Sequence, residues 1–328
     1  MGYQSRYDQN FITGNSAYNK YAFTGTNLIN TGFHYSYTFK NVYSYGEIAH
    51  SIDGGWAVVN GLLISLSPKL STVLLHRNYD RDYRNFFSSA VGEGTDVSNE
   101  KGVYAGLNFS PSKKFLYSIY LDYFKFPWLK FRVDSASKGH EILVQGIYTP
   151  KKTLKILLRF KRELKQQNPD ATDKSEGLKN VLKGSGRAAI DWKLNKSIDF
   201  QHRVEVSLYK KGEMGQEFGK LVYCDFNYHP PLAKLSGNLR IAYFSTPSYN
   251  SRIYAYEDDV LYGSSFGLYS EKGFRSYSNI RCRITRKVDL WARYALTFYQ
   301  DKESISSGLD EIEGNIKSDV KVQLRYQF

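Results

Sequence analysis

The chain has 328 residues, 28 of them Tyr and 20 Phe, with a formal charge of +13 and a mean hydropathy of −0.48. No run approaches the roughly 18 apolar residues a membrane-spanning helix needs, and Cys224 and Cys282, far apart, show neither metal-ligand spacing nor a disulfide framework. The Lys and Arg are spread over turns and strands instead of forming a dense basic run, which makes a nucleic-acid partner unlikely for this segment.

In chain order, residues 1–17 read as a partial strand or periplasmic lead-in. Met1-Gly-Tyr-Gln-Ser-Arg-Tyr-Asp lacks the charged and then apolar regions of a secretory leader, so the expectation is a mature chain or, preferably, the C-terminal part of a longer precursor. A first strand is expected near Tyr18–Thr26. Short Lys-bearing turns then recur about every 40 residues, a spacing that fits pairs of spanning strands. They read Phe39-Lys-Asn-Val, Ser67-Pro-Lys-Leu, Ser110-Pro-Ser-Lys-Lys, Thr149-Pro-Lys-Lys-Thr, Leu194-Asn-Lys-Ser, Pro230-Pro-Leu-Ala-Lys and Thr285-Arg-Lys-Val. Pro, Asn and Ser set turn geometry there, and Pro is not expected inside a central strand. The intervening connections are longer and polar: Asp80 to Glu100, Lys165 to Gly184 and Gln300 to Glu313. Short turns at one end and long loops at the other is the asymmetry of a transmembrane barrel.

Periodicity tests the segments between. Leu290, Ala292, Tyr294, Leu296 and Phe298 alternate with Asp289, Trp291, Arg293, Ala295, Thr297 and Tyr299. Val320, Val322, Leu324, Tyr326 and Phe328 alternate with Asp319, Lys321, Gln323, Arg325 and Gln327. Ile198, Phe200, Val204, Val206 and Leu208 alternate with Asp199, Gln201, Arg203, Glu205 and Ser207. Leu235, Leu239, Ile241 and Tyr243 alternate with Ser236, Asn238, Arg240 and Ala242. A period of two means that one face meets an apolar medium and the other a polar one. The faces of Tyr43–Ser51 and Leu70–Tyr79 stay unassigned. The fold expected is all-β: a single antiparallel, transmembrane up-and-down β-barrel over residues 1–328, with about 16 strands (14 to 18). A soluble β-sandwich or propeller is the competing reading.

Several segments then carry a resemblance. Asn250-Ser-Arg-Ile-Tyr-Ala-Tyr-Glu-Asp-Asp-Val-Leu-Tyr262, Ser307-Gly-Leu-Asp-Glu-Ile-Glu-Gly-Asn-Ile-Lys-Ser318, Phe126-Pro-Trp-Leu-Lys-Phe-Arg-Val-Asp134 and Asn78-Tyr-Asp-Arg-Asp-Tyr83 resemble Bacteroidota outer-membrane β-barrels of a family whose precursors carry helix-hairpin-helix repeats. The likeness runs from about residue 30 to the end and is most specific at 250–262. It implies an outer-membrane location, a C-terminal aromatic, Phe328, read by the barrel-assembly machinery, and a Bacteroidota source. It brings no reaction. The helix-hairpin-helix segment is absent here, so no nucleic-acid role passes to these residues.

Chemistry was sought on both faces. His76, Asp80 and Asp82 fall near one strand end, where acids beside a His can activate water, although any polar strand end looks similar. His202 sits on the lipid-facing parity, but no partner Ser can be named. Glu257-Asp258-Asp259 offers oxygens to a Ca²⁺ ion, against the blander reading of three solvated acids. No phosphate loop or paired metal-ligand spacing is present, so no catalytic residue, metal or cofactor is expected.

The polar parity gives Arg203, Glu205, Asp225, Arg240, Arg281, Arg283, Asp289, Arg293, Lys321 and Arg325 as lumen-facing charges. They would brace the wall, favour anionic solutes, or both. The apolar parity gives Leu290, Tyr294, Leu296, Phe298, Val320, Val322, Leu324, Tyr326 and Phe328 as lipid-facing. The expected function is a non-enzymatic outer-membrane barrel: a porin-like pore, transport or envelope assembly component with a cationic lumen. Its expected partners are outer-membrane lipid and lipopolysaccharide, the assembly machinery and other envelope proteins. The alternatives are the membrane anchor of a DNA-uptake system and an outer-membrane hydrolase. An open lumen and a plugged one are both compatible with the sequence, and a plug could be built from the Lys165–Gly184 loop or from residues preceding the chain.

Overall fold

The computed structural model describes residues 2–171 and 175–328. Its strands are β1 (Gly2–Phe11), β2 (Gly25–Phe39), β3 (Val42–Ser51), β4 (Trp56–Ser67), β5 (Leu70–Tyr79), β6 (Glu100–Ser112), β7 (Phe115–Phe126), β8 (Ser137–Lys151), β9 (Leu154–Gln167), β10 (Lys179–Lys193), β11 (Ile198–Lys211), β12 (Glu217–Tyr228), β13 (Leu235–Ser245), β14 (Ile253–Glu257), β15 (Ser265–Tyr269), β16 (Lys272–Arg283), β17 (Val288–Tyr299), β18 (Ser304–Ile305), β19 (Ile312–Glu313) and β20 (Ile316–Tyr326). Sixteen of them follow one another in a single sheet, β1 to β13 and then β16, β17 and β20. The pairs β14–β15 and β18–β19 are separate hairpins within connections. The strands are antiparallel neighbours, as period-two segments joined by short turns require.

Among the described residues, β1 pairs with β2 and β20 with β17, and no pairing joins β1 to β20. The sheet is therefore all-β and antiparallel but not closed. Every Lys-bearing segment sits at a junction between consecutive strands or runs into one. Lys40, at the tip between β2 and β3, takes a left-handed φ of 50°, as a tight hairpin turn demands.

Three expectations need correction. The strand expected near Tyr18–Thr26 starts later: Ala17–Asn19 is a 3-10 turn and β2 begins at Gly25, while the additional strand is β1, so the lead-in is itself a stave of the sheet. Pro111 and Pro150 lie inside β6 and β8 near their turn ends. Pro111 falls where the β6–β7 register shifts between Phe109 and Ser112, a bulge in which a missing N–H costs no ladder bond. The Lys165–Gly184 connection is shorter than expected, because β9 runs on to Gln167 and β10 begins at Lys179. Part of that segment, 172–174, lies outside the described residues.

The chain divides into two compact units. Unit 1 comprises Met1–Val144, Lys161–Leu182 and Lys211–Glu213; unit 2 comprises Gln145–Phe160, Lys183–Lys210 and Met214–Phe328. In unit 1, Tyr45 lies directly across from Gly61, and Tyr35 from Gly46. A Cβ on Gly46 would stand 2.6 Å from Tyr35 Cε1, so glycine is what lets the ring lie against the neighbouring strand. A small apolar cluster, Ala49, Ala57, Tyr79, Tyr83 and Val97, joins this wall to residues 80–99. In unit 2 the corresponding cluster is Leu221, Ala242, Phe244, Ile253, Ala255 and Tyr269, joining β12 and β13 to the β14–β15 hairpin.

Candidate functional site

In unit 2 the register of six adjacent strands sorts side chains into rows. One row on the buried face reads Asp199, Asn227, Asn238, Asn279, Arg293, Lys321 across β11, β12, β13, β16, β17 and β20. The next reads Gln201, Asp225, Arg240, Tyr277, Ala295, Asp319. The opposite face carries Val204, Val222, Tyr243, Phe274, Phe298, Ile316, and then Phe200, Phe226, Leu239, Ser278, Tyr294, Val320. Val322, Leu324 and Val320 are 65–68% exposed, whereas Arg293 is 2% and Asp225 2%. The usual polarity of a water-soluble sheet is inverted: charges point into the protein and apolar side chains out.

The charges on the buried face are paired. Arg240 grips both oxygens of Asp225 with two bonds of 2.5 Å and donates through Nη1 to Tyr256 O at 2.6 Å. Arg203 pairs with Glu205, which also accepts from Arg187 at 2.8 Å. Such forked guanidinium–carboxylate contacts are the stronger class of hydrogen bond.

The β14–β15 hairpin packs on this face and is held through Glu257, which is fully buried. Its carboxylate accepts from Arg275 at 2.6 and 2.9 Å, from Arg293 at 2.6 Å and from the Tyr269 hydroxyl at 3.0 Å. Burial alone would raise the Glu257 carboxyl, but the Arg275 and Tyr269 hydrogen bonds and the two guanidinium charges hold it below the ordinary carboxylate value. Asp259 accepts from Lys321 Nζ at 2.7 Å, and its backbone oxygen accepts from Asn279 at 2.8 Å. Burial pushes the neighbouring Asp258 carboxyl up. The acidic triplet is thus neither a solvated loop nor a calcium cradle: its first and third members are the counter-ions of strand cations. In unit 2 the 247–271 connection is folded onto the strands in this way.

Unit 1 has its own clamp. Arg77, fully buried, donates Nε to Glu100 at 2.6 Å and its Nη atoms to Asp122 at 2.8 and 3.1 Å. Glu100 in turn accepts from the backbone N–H of Glu93 and Gly94 at 2.9 Å, which fastens residues 80–99 against the wall. Nearby, carboxylate oxygens of Glu93, Glu141 and Glu163 lie within 4.8 Å of one another. Lysines already supply their cations: Lys165 contacts Glu93 and, at 3.1 Å, Glu163, while Lys161 meets Glu141 at 2.8 Å. Burial raises the Glu93 carboxyl, with Lys165 opposing.

No family model matches the chain, and no curated protein matches its sequence. Among solved structures, it is similar to the siderophore receptor PirA from Acinetobacter baumannii (9% identity, TM-score 0.46), spanning 99% of this chain and 57% of the receptor. It is also similar to a loop L8 deletion mutant of OmpT, an outer membrane protein of Vibrio cholerae (10% identity, TM-score 0.41), over 99% of this chain and 97% of the other. A third likeness is to an anion-selective porin from Comamonas acidovorans (7% identity, TM-score 0.39), over 91% and 100%. At such scores and identities these likenesses carry no functional conclusion.

Of the ten charges expected on the polar face, Arg203, Glu205, Asp225, Arg240, Asp289 and Arg293 are buried, and Arg281, Arg283, Lys321 and Arg325 are half-buried beside them. Of the nine residues expected on the apolar face, Tyr294, Phe298, Val320, Val322, Leu324 and Tyr326 are exposed; Leu290 and Leu296 are half-buried. Phe328 lies beyond the end of β20, its ring edge-on to Tyr326 at 5.1 Å. His76 and Asp80 form no shared constellation. His76 is exposed between Asn60 and Val103, while the Asp80 carboxylate accepts from Trp56 N at 3.0 Å. His202 is exposed and stacks on Phe200, ring centroids 6.3 Å apart.

Sequence reasoning missed Arg275, Arg77, Glu100 and Asp122. Arg275 shares parity with Arg281 and Arg283 on β16, the signal that could have found it. Arg77 was hidden because Val73, Leu74 and Leu75 are apolar on both faces of β5.

Proposed function

We propose that the chain is the wall of an outer-membrane β-barrel that acts without catalysis as a porin-like pore or transport component. In this reading the exposed rows face lipid and the charged face lines a lumen. The observation that carries it is the inverted polarity, kept in register over six strands. Exposed contiguous rows of Val, Phe, Tyr and Ile would be costly in water. In hydrocarbon the arrangement is the favourable one, since every backbone polar group of a closed barrel is satisfied by its neighbours.

Two arms test the reading. Val322→Arg on the exposed face should cost about 2–4 kcal/mol of folding stability in lipid vesicles, whereas Gln201→Arg, at an accessible position of the charged face across from Asp225, stays within about 0.5 kcal/mol. Equal costs would remove the membrane assignment. In a planar bilayer, the refolded protein should pass current, and replacing residues 253–269 by a short glycine linker should increase it. Silence in both forms would remove the pore. The buried cations of the wall support a preference for anions, which the reversal potential in a salt gradient reads directly.

A further inference from the structure

In unit 2, Arg187 and Arg203 share one carboxylate, Glu205. A larger excess of cations lies at the turn end of β16 and β17. There Arg283 stands directly across from Asp289, and Asp289 from Arg325; Arg281 approaches diagonally. Asp289 Oδ1 accepts from Arg281 Nε and Nη2 at 3.1 and 2.9 Å, and Oδ2 accepts from Arg325 Nη2 at 2.5 Å. Arg283 Nε is 3.8 Å from Oδ1, too far for a hydrogen bond. Trp291, 7% exposed, lies alongside, with the guanidinium carbons of Arg281 and Arg325 at 5.2 and 5.5 Å from its ring.

Two features set this cluster apart. The Asp289 side chain is only 6% exposed while those of Arg281, Arg283 and Arg325 are 33%, 41% and 30% exposed, so the cations hold the accessible side. Three guanidinium groups against one carboxylate leave an excess of positive charge, and Arg286 and Lys287 in the adjoining turn add to it. The donors are also incompletely used. Among the described residues, Arg325 Nε is buried without an acceptor, and the Arg283 fork has no acceptor within hydrogen-bond distance. A buried donor without an acceptor is costly and calls for a partner.

We propose that Arg281, Arg283 and Arg325 form a binding site for an oxyanion, the phosphate or carboxylate group of a small solute. Asp289 acts as the resident spacer that keeps the three forks oriented, and the planar guanidinium suits bidentate capture of such a group. The site rests on reading the charged face as a solvated lumen, and it names the solute chemistry that lumen would select.

The test is a titration of the refolded protein in detergent micelles, at constant ionic strength, with inorganic phosphate and separately with acetate, following tryptophan fluorescence. A saturable change is expected, and it should vanish in Trp291→Phe. Arg283→Gln, whose side chain is exposed and holds no hydrogen bond, should fold normally and weaken binding about tenfold, the loss of one charged fork. Asp289→Asn removes the competing carboxylate and should tighten binding, a direction that a bracing role for these residues would not produce. Tighter binding of phosphate assigns the site to phosphate solutes, and of acetate to carboxylates. A flat titration with both anions, or equal binding by Arg283→Gln and the parent, overturns the site. Because no current is measured, a flat titration in a conducting protein overturns the site alone, whereas binding by a protein silent in bilayers overturns the pore alone.

Discussion

Both units fasten a long connection onto their own strands, and they do so with opposite chemistry. In unit 1 the clamp belongs to the wall: Arg77, Glu100 and Asp122 all sit on strands. Residues 80–99 contribute backbone N–H groups and the side chains of Tyr83 and Val97. In unit 2 the connection brings the charge itself, Glu257, into the grip of two strand arginines. The Arg77 clamp of unit 1 is therefore neutralised within the wall, and its connection adds a single charged contact to it, Glu93 to Lys165 of β9. The wall of unit 2 is completed electrically only when the hairpin is in place. The difference teaches where a perturbation should register, in the strands for one unit and in the connection for the other.

The largest effect should come from Arg77→Met. It leaves the buried Glu100 and the half-buried Asp122 without their guanidinium and should cost about 3–5 kcal/mol, read as a lowered urea midpoint. Glu257→Gln should cost about 3 kcal/mol at the hairpin, but as release rather than unfolding. Hydrogen exchange should rise across 253–269 with the urea midpoint little changed. If the midpoint falls as far as in Arg77→Met, the contrast between the units collapses.

A smaller effect is expected from Tyr79→Phe, which removes the hydroxyl donating to Val91 O at 2.9 Å. A neutral hydrogen bond of this kind contributes about 1 kcal/mol, to be read as faster exchange in 80–99. Unchanged exchange there would show that the hydroxyl does not hold the connection.

The smallest effect is the pH response of the hairpin. The Glu257 carboxyl lies below its ordinary value, so its contribution is fully present above the ordinary 4.5 and is lost only as pH falls through the depressed value. Asp258 acts in the opposite sense. Its carboxyl is raised above 3.8, so its burial cost, present at neutral pH, is relieved as pH falls through the raised value. Protection from exchange across 253–269, taken relative to the intrinsic rate at each pH, should therefore hold or rise slightly as pH falls towards the ordinary 4.5 and be lost only in stronger acid. Release near neutral pH would show that Glu257 does not hold the hairpin.

Much of the wall was legible in the sequence. The β17 and β20 segments alternate without a break, so one parity identified both faces, and the turn segments around Lys40, Lys69 and Lys287 fell where strands meet. β5 was not legible in the same way, because apolar residues on both of its faces erase the period that would have set Arg77 apart. The aromatic residues around 18–26 suggested a strand where a 3-10 turn forms, since propensity cannot report which segment finds a partner edge.

By itself, the amino-acid sequence determined the all-β architecture, the spacing of the turns and the side to which each alternating residue points. These follow from a local rule, the two-residue period of an extended chain. Only the tertiary structure decided that Glu257 and Asp259 are buried counter-ions, that residues 80–99 and 247–271 fold onto the strands, and that Arg281, Arg283 and Arg325 share one carboxylate. Those facts depend on register between strands far apart in sequence, and register is fixed by the whole set of cross-strand contacts rather than by any segment alone.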